Sequence, residues 1–162
     1  MKKIVLNSDT AVECKLSILI FTEGTIIGPG RLIDFYSPTK YVPIANYTDK
    51  IKKWNDNGAQ IIYLTSRKSD SSVESIRSLL TKYGFPGVCL YYRTGADKYK
   101  DIVQSIKPDI LIEDDCRSIG GSWQLCITHV EKKIRENIKS IVVKEFNGID
   151  HLPDDLNELL NY

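Results

Sequence analysis

The sequence carries no excess of charge of either sign. Its 22 lysines and arginines against 21 aspartates and glutamates leave a formal net charge of +1. No general positive field is therefore present to draw in nucleic acid or an anionic membrane, and any phosphate must be held by local geometry. Cysteine is sparse. Cys14, Cys89, Cys116 and Cys126 stand apart with no C-x-x-C pair, which argues against zinc and against a disulfide framework. Reduced thiols in a cytoplasmic protein are the expected state. No apolar run approaches the roughly 20 residues of a membrane-spanning helix, and the run after Lys2 and Lys3 is too short for a signal peptide. Internal repeats and low-complexity linkers are missing as well. What remains is a chain of 162 residues, 42% hydrophobic and 27% charged, of a size and composition that predict one globular domain.

Strand-like and helix-like segments alternate along the chain. "SILIF" (17–21), "QIIYL" (60–64), "VCLYY" (88–92), "DILIE" (109–113) and "SIVV" (140–143) are short apolar runs, as expected of strands covered on both faces. Between them, Tyr47, Ile51 and Trp54 fall on one helical face, and Gly58 is a natural stop. Val73, Ile76, Leu80 and Tyr83 repeat at helical spacing behind a capping-box pattern, Ser71-x-x-Glu74. Tyr99, Ile102, Val103 and Ile106 form another stripe, ended by Pro108. "HVEKKIRENIK" (129–139) reads as a helix with Val130, Ile134 and Ile138 inside, and "DDLNELL" (154–160) as a short closing helix. The alternation predicts an α/β fold, a mostly parallel Rossmann-like sheet with helices on both faces.

Ligands of such sheets bind beyond the carboxyl ends of the strands. Three of these ends carry polar residues: "FTEGT", "TSRKSD" and "EDDCR". Gly24-Thr25 permits a tight turn that exposes backbone N–H groups. Thr65 and Ser66 offer hydroxyls, and Arg67 a fork that matches phosphate oxygens. Glu113, Asp114 and Asp115 place three carboxylates side by side, a repulsion most easily relieved by a divalent cation. A helix-cap role for Asp115 is the competing reading. His129 stands at a helix start with no visible partner, and His151 lies away from these segments, at the surface or in the core.

In order and spacing, "ILIFTEGTI", "IIYLTSR", a lysine near a helix start and "PDILIEDD" resemble the haloacid dehalogenase-like superfamily over about 17–143. The resemblance implies a Rossmann-like core and magnesium-dependent hydrolysis of phosphomonoesters. It assigns Thr65 to the phosphate-binding hydroxyl, and Lys98 or Lys100 to the lysine that neutralises nucleophile and phosphate. Asp114 and Asp115 match its metal-binding acids, and Glu23 falls at the general acid and base position, where it could also bind metal. At the nucleophile position the match fails: Phe21 can neither form an acyl-phosphate nor ligate a metal. The register "VLNSDTA", with Asn7 and Asp9, does not restore an aspartate, and is read as an added strand or hairpin. Cys116 follows the acids directly, where a thiol is held away from its thiolate form. The segment around 28–46 is too short for a cap domain, so a capless core with a small flap is expected.

Two functions follow. One is a divergent Mg2+-dependent phosphohydrolase acting without an aspartyl-phosphate, with Glu23 activating water. The other is a catalytically inactive phosphate- or nucleotide-binding regulatory protein. Either takes a small phosphorylated molecule as partner.

Overall fold

The computed structural model describes residues 1–6, 16–34 and 37–162. Cys14, Asn7, Asp9 and the side chain of Tyr47 lie outside the described residues. In chain order the elements are β1 (Lys2–Val5), β2 (Leu16–Phe21), β3 (Ile27–Pro29), β4 (Tyr41–Pro43), α1 (Tyr47–Asp56), β5 (Ala59–Leu64) and α2 (Asp70–Lys82). They continue as β6 (Cys89–Tyr92), α3 (Tyr99–Ile106), β7 (Ile110–Asp114), α4 (Cys126–His129), α5 (Lys132–Arg135), β8 (Lys139–Val143) and α6 (Leu156–Asn161).

Six strands form one sheet in the order β1-β6-β5-β2-β7-β8. All neighbours are parallel except β1, which runs antiparallel along β6. β3 and β4 pair separately as a small antiparallel hairpin. The mostly parallel α/β architecture read from the alternation is thus the fold observed.

The order explains where a ligand can sit. From β2 the chain steps outward through α1 to β5 and through α2 to β6. It then returns across the sheet through α3 to β7, on the other side of β2. Right-handed crossovers in opposite directions place their helices on opposite faces. Accordingly Ile51, Trp54, Val73, Ile76, Leu80 and Leu159 pack with Ile18 and Ile20 on one face. Ile102, Val103, Cys126 and Ile127 pack with Leu19 and Leu111 on the other. Above the carboxyl end of β2 the connections diverge, which leaves room there for a ligand.

Two local expectations are corrected. The cap of α2 is Ser69, whose hydroxyl accepts from the Ser72 N–H, and Glu74 pairs with Arg77 one turn on. The helix starts at Asp70, too early for Ser71 to cap it. The segment 129–139 is not one helix. Val130 is extended and separates α4 from α5, and Glu131 donates its N–H to Gln104 Oε1 on α3. The break lets Val130 and Ile138 both reach the core while Ile134 is only partly covered.

Trp54 is fully buried, and its indole N–H donates to the Pro153 carbonyl at 2.9 Å, tying α1 to the C-terminal segment. Trp54→Ala is expected to lose about 3–5 kcal/mol of stability, read as a fall in the denaturant midpoint.

Candidate functional site

The carboxyl ends of β2, β5 and β7 border one cavity of about 640 Å3, lined among others by Glu23, Gly24, Ser66, Arg67, Lys98, Lys100 and Asp114. Thr65 and Thr25 are fully buried and are not among its lining residues, and the Thr25 hydroxyl has no partner among the described residues. Lys98 and Lys100 both line the cavity.

Glu23 sits where β2 passes into the Gly24 turn, and its carboxylate is engaged on both oxygens. Oε1 accepts from Thr65 Oγ1 at 2.6 Å and from Arg67 Nε at 3.3 Å. Oε2 accepts from Thr22 Oγ1 at 2.7 Å and from the Ser66 N–H at 3.0 Å. Arg67 is fixed in turn: Nη2 donates to the Tyr41 hydroxyl at 2.7 Å, and its guanidinium lies 5.3 Å from the Tyr41 ring centre. Tyr41 belongs to β4, so the small hairpin borders the cavity.

The three consecutive acids part company. Pleating sends neighbours on a strand to opposite faces, so Glu113 points away from Asp114. Glu113 is buried, accepting from the Cys126 and Ile127 N–H groups at 2.6 and 3.1 Å. Burial outweighs these bonds and pushes its carboxyl up to about 7. It anchors the start of α4.

Asp114 and Asp115 instead meet Glu145, just beyond β8, with one carboxylate oxygen from each within 4.8 Å of the others. Burial holds the Asp114 carboxyl above the usual range despite the Cys116 N–H it accepts, and neighbouring Glu145 and Asp115 push the same way. Asp115 caps no helix: Oδ1 accepts the Glu145 N–H at 3.1 Å. Glu23 is not in this cluster, and Glu145 was not found from sequence. Its only signal is a carboxylate two residues past the strand after the acids.

Gly24 explains how the β2 turn lies against Asp114. Its φ is +81°, and a β-carbon there would stand 2.8 Å from Asp114 Oδ1. Only glycine satisfies both conditions. The Phe146 N–H closes the turn from the β8 side by donating to the Gly24 carbonyl at 2.8 Å.

At the position expected for a nucleophile, Phe21 packs edge-to-face on Tyr99 with centroids 5.2 Å apart. Tyr99 carries Arg93 on its ring, 3.7 Å from the centroid, and accepts from Arg93 Nη2 at 2.9 Å. Arg93 lines the cavity, and its buried Nε has no partner among the described residues. It too was missed, because one arginine after a strand carries no motif. Burial and the acids nearby push the Cys116 thiol up to about 12. His129, read as a helix start without a partner, in fact ends α4 and lies 2.9 Å from the Trp123 carbonyl through Nε2. His151 is exposed.

The fold is similar to that of chains in two structures of the Pnkp1/Rnl/Hen1 RNA repair complex, at TM-scores of 0.55 and 0.57 and 15% identity. These matches cover 87% and 85% of this chain but 46% and 50% of those, so the chain spans about half their length. It is likewise similar to the class C acid phosphatase from Bacillus anthracis with tungstate bound, at a TM-score of 0.56 and 14% identity, over 85% of this chain and 70% of that one. No protein-family model matches the sequence, and no curated protein matches it. The likeness is one of fold: a mostly parallel, Rossmann-like α/β sheet with helices on both faces. Among the described residues, no helix is long and apolar enough to cross a membrane.

Gly24→Ala is expected to cost stability and to move Asp114. The left-handed backbone alone costs about 1 kcal/mol or more, and the clash with the carboxylate adds to it. Thermal melting with a Mg2+ titration checks both effects: a lower midpoint and a smaller Mg2+-induced rise than in the wild type.

Proposed function

We propose that this haloacid dehalogenase-like chain binds a small phosphorylated molecule in the cavity at the ends of β2, β5 and β7, beside a divalent cation and without forming an aspartyl-phosphate. The observation that carries this reading is that Arg67, Arg93, Lys98 and Lys100 line the same cavity as Asp114 and Glu145. Cations that match phosphate oxygens and carboxylates that match a metal ion thus share one space at the strand ends. A single domain with 28–46 as a flap belongs to this proposal, as Tyr41 borders the cavity. So does a reducing, cytoplasmic setting, with Cys89, Cys116 and Cys126 as free thiols.

The donor set fits Mg2+. Three carboxylates within 4.8 Å suit a hard, oxygen-seeking ion, and a cation would relieve the penalty that burial and neighbouring charge impose on Asp114. Asp114, Asp115 and Glu145 would hold it, where it would supply charge neutralisation for a phosphate ester. Glu23, counted from sequence as a further ligand, is engaged by Thr22, Thr65, Ser66 and Arg67.

A second reading, hydrolysis by direct attack of water, is favoured by one observation. Glu23 and Asp114 line the same cavity, with Gly24 in close contact with the Asp114 carboxylate. Glu23 would there take a proton from water. In the inert alternative the same groups hold a phosphate or nucleotide for regulation.

A Mg2+-dependent screen of small phosphoesters, run beside melting shifts with the same compounds, separates the readings. Turnover establishes the hydrolase, binding without turnover the regulatory protein, and neither discards the phosphate reading. Asp114→Asn and Glu145→Gln should each weaken Mg2+ binding by roughly tenfold or more, about 1.4 kcal/mol; titrations matching the wild type would remove the ion from this cluster.

Phe21→Asp tests the register of the resemblance. Loss of the ring against Tyr99 should cost about 3 kcal/mol or more, yet the added carboxylate should enlarge the Mg2+-induced rise in melting temperature, since the ion binds the folded state. An equal or smaller rise than in the wild type would take Phe21 away from the nucleophile position.

A further inference from the structure

The donors expected to hold phosphate at the end of β5 already hold an anion. Thr65 Oγ1, the Ser66 N–H and Arg67 Nε converge on the Glu23 carboxylate at 2.6, 3.0 and 3.3 Å. Thr65 is fully buried, and Arg67 is held by Tyr41, so these donors have little freedom to turn elsewhere. A carboxylate and a phosphate offer such donors the same thing, anionic oxygens in forked geometry. One set of donors cannot serve both at once.

We propose that Glu23 is an internal anion: its carboxylate occupies the oxyanion site of Thr65, Ser66 and Arg67, and a phosphate ester enters that site only by displacing it. The inference rests on the phosphate reading of the cavity and adds a condition of entry to it. Displacement does two things together. It seats the phosphate on Thr65, Ser66 and Arg67, and it releases the Glu23 carboxylate into the cavity when the ligand arrives. An empty site therefore keeps this carboxylate bound. The cavity also holds cationic capacity outside the exchange, since Arg93, Lys98 and Lys100 line the same space. These groups can hold an incoming phosphate while Glu23 leaves, so the two anions need not share Arg67.

The test uses inorganic phosphate with the full chain, in EDTA and at matched ionic strength in chloride, so that no metal contributes. Calorimetric affinity and melting shift are compared for the wild type, Glu23→Gln, Glu23→Ala and the double variant Glu23→Ala/Thr65→Val. Without phosphate, Glu23→Ala should melt below the wild type, because the buried Thr22 and Thr65 hydroxyls lose an acceptor. Phosphate should restore its melting temperature and bind roughly tenfold tighter, or more, than to the wild type. Glu23→Gln, which keeps the shape and removes the charge, should show a smaller gain, and the double variant should lose the gain. If Glu23→Ala does not fold, Glu23→Gln decides alone. A wild type that binds phosphate measurably, with folded Glu23 variants that bind no tighter, overturns the internal anion and leaves the phosphate reading standing. Absence of phosphate binding in all four proteins, in EDTA and again in a second series with Mg2+, overturns both.

Discussion

The site depends on β2 being fixed at both ends. At its amino end the Asp109 carboxylate accepts from the Ser17 N–H and hydroxyl at 2.6 and 2.8 Å, and the Ser17 hydroxyl accepts from the Asp109 N–H at 3.1 Å. This reciprocal pair sets β2 against β7. At the carboxyl end Glu23 joins β2 to the β5 loop through Thr65 and Ser66, while the Thr22 N–H donates to the Leu64 carbonyl at 3.0 Å. A one-residue slip of β2 would turn every side chain to the other face. It would put Phe21 and Leu19 where Ile18 and Ile20 now pack, and carry Glu23 off Thr65. The two clamps and the apolar alternation exclude that slip together, and they bring Gly24 against Asp114.

Much of this was legible in the sequence, for a physical reason. Apolar runs such as 18–20 and 110–112 are buried on both faces, and a strand of that kind has no polar residues to blur its limits. The convergence of 23–24, 66–67 and 114 on one cavity follows from parallel topology alone. What stayed hidden depends on distances no spacing encodes. Glu145 joins Asp114 and Asp115 only because β8 lies beside β7, with Val143 opposite Asp114. Arg93 belongs to the site because its guanidinium stacks on Tyr99, the first residue of α3. The break at Val130 was masked because 129–139 keeps a helical apolar rhythm even where the backbone leaves the helix.

Phe21 and Glu113 are best understood as a pair. Ile20 faces Ile112 across the parallel ladder, so Phe21 and Glu113 are the next residues on neighbouring strands and share a sheet face. On that face a ring packs against Tyr99 and a buried carboxyl holds the first N–H groups of α4. The carboxyl does not replace a nucleophile, because both its oxygens are engaged and burial raises it to about 7. It fixes where α4 begins, and so the position of 116–125, which borders the cavity through Cys116, Ser118, Ile119 and Gln124. On this face both side chains serve packing and anchoring.

That arrangement limits the chemistry open to the cavity. Covalent phosphoryl transfer needs an unprotonated, unencumbered heteroatom facing the phosphorus. Phe21 has none. The Cys116 thiol and the Tyr99 hydroxyl are both pushed up to about 12, chiefly by burial. Glu113 is engaged at α4, and His129 meets the Trp123 carbonyl through Nε2, which leaves its Nδ1 as a second base. Ser66 and Ser118 are ordinary alcohols and need a base to react. The carboxylate best placed for that task is Glu23, held by Thr22, Thr65, Ser66 and Arg67. Among the carboxylates, then, the proposed phosphate reading leaves two outcomes: the cavity holds its ligand unchanged, or a released Glu23 activates water. Under the proposed displacement of Glu23, both outcomes pass through the same exchange of one anion for another at Thr65, Ser66 and Arg67.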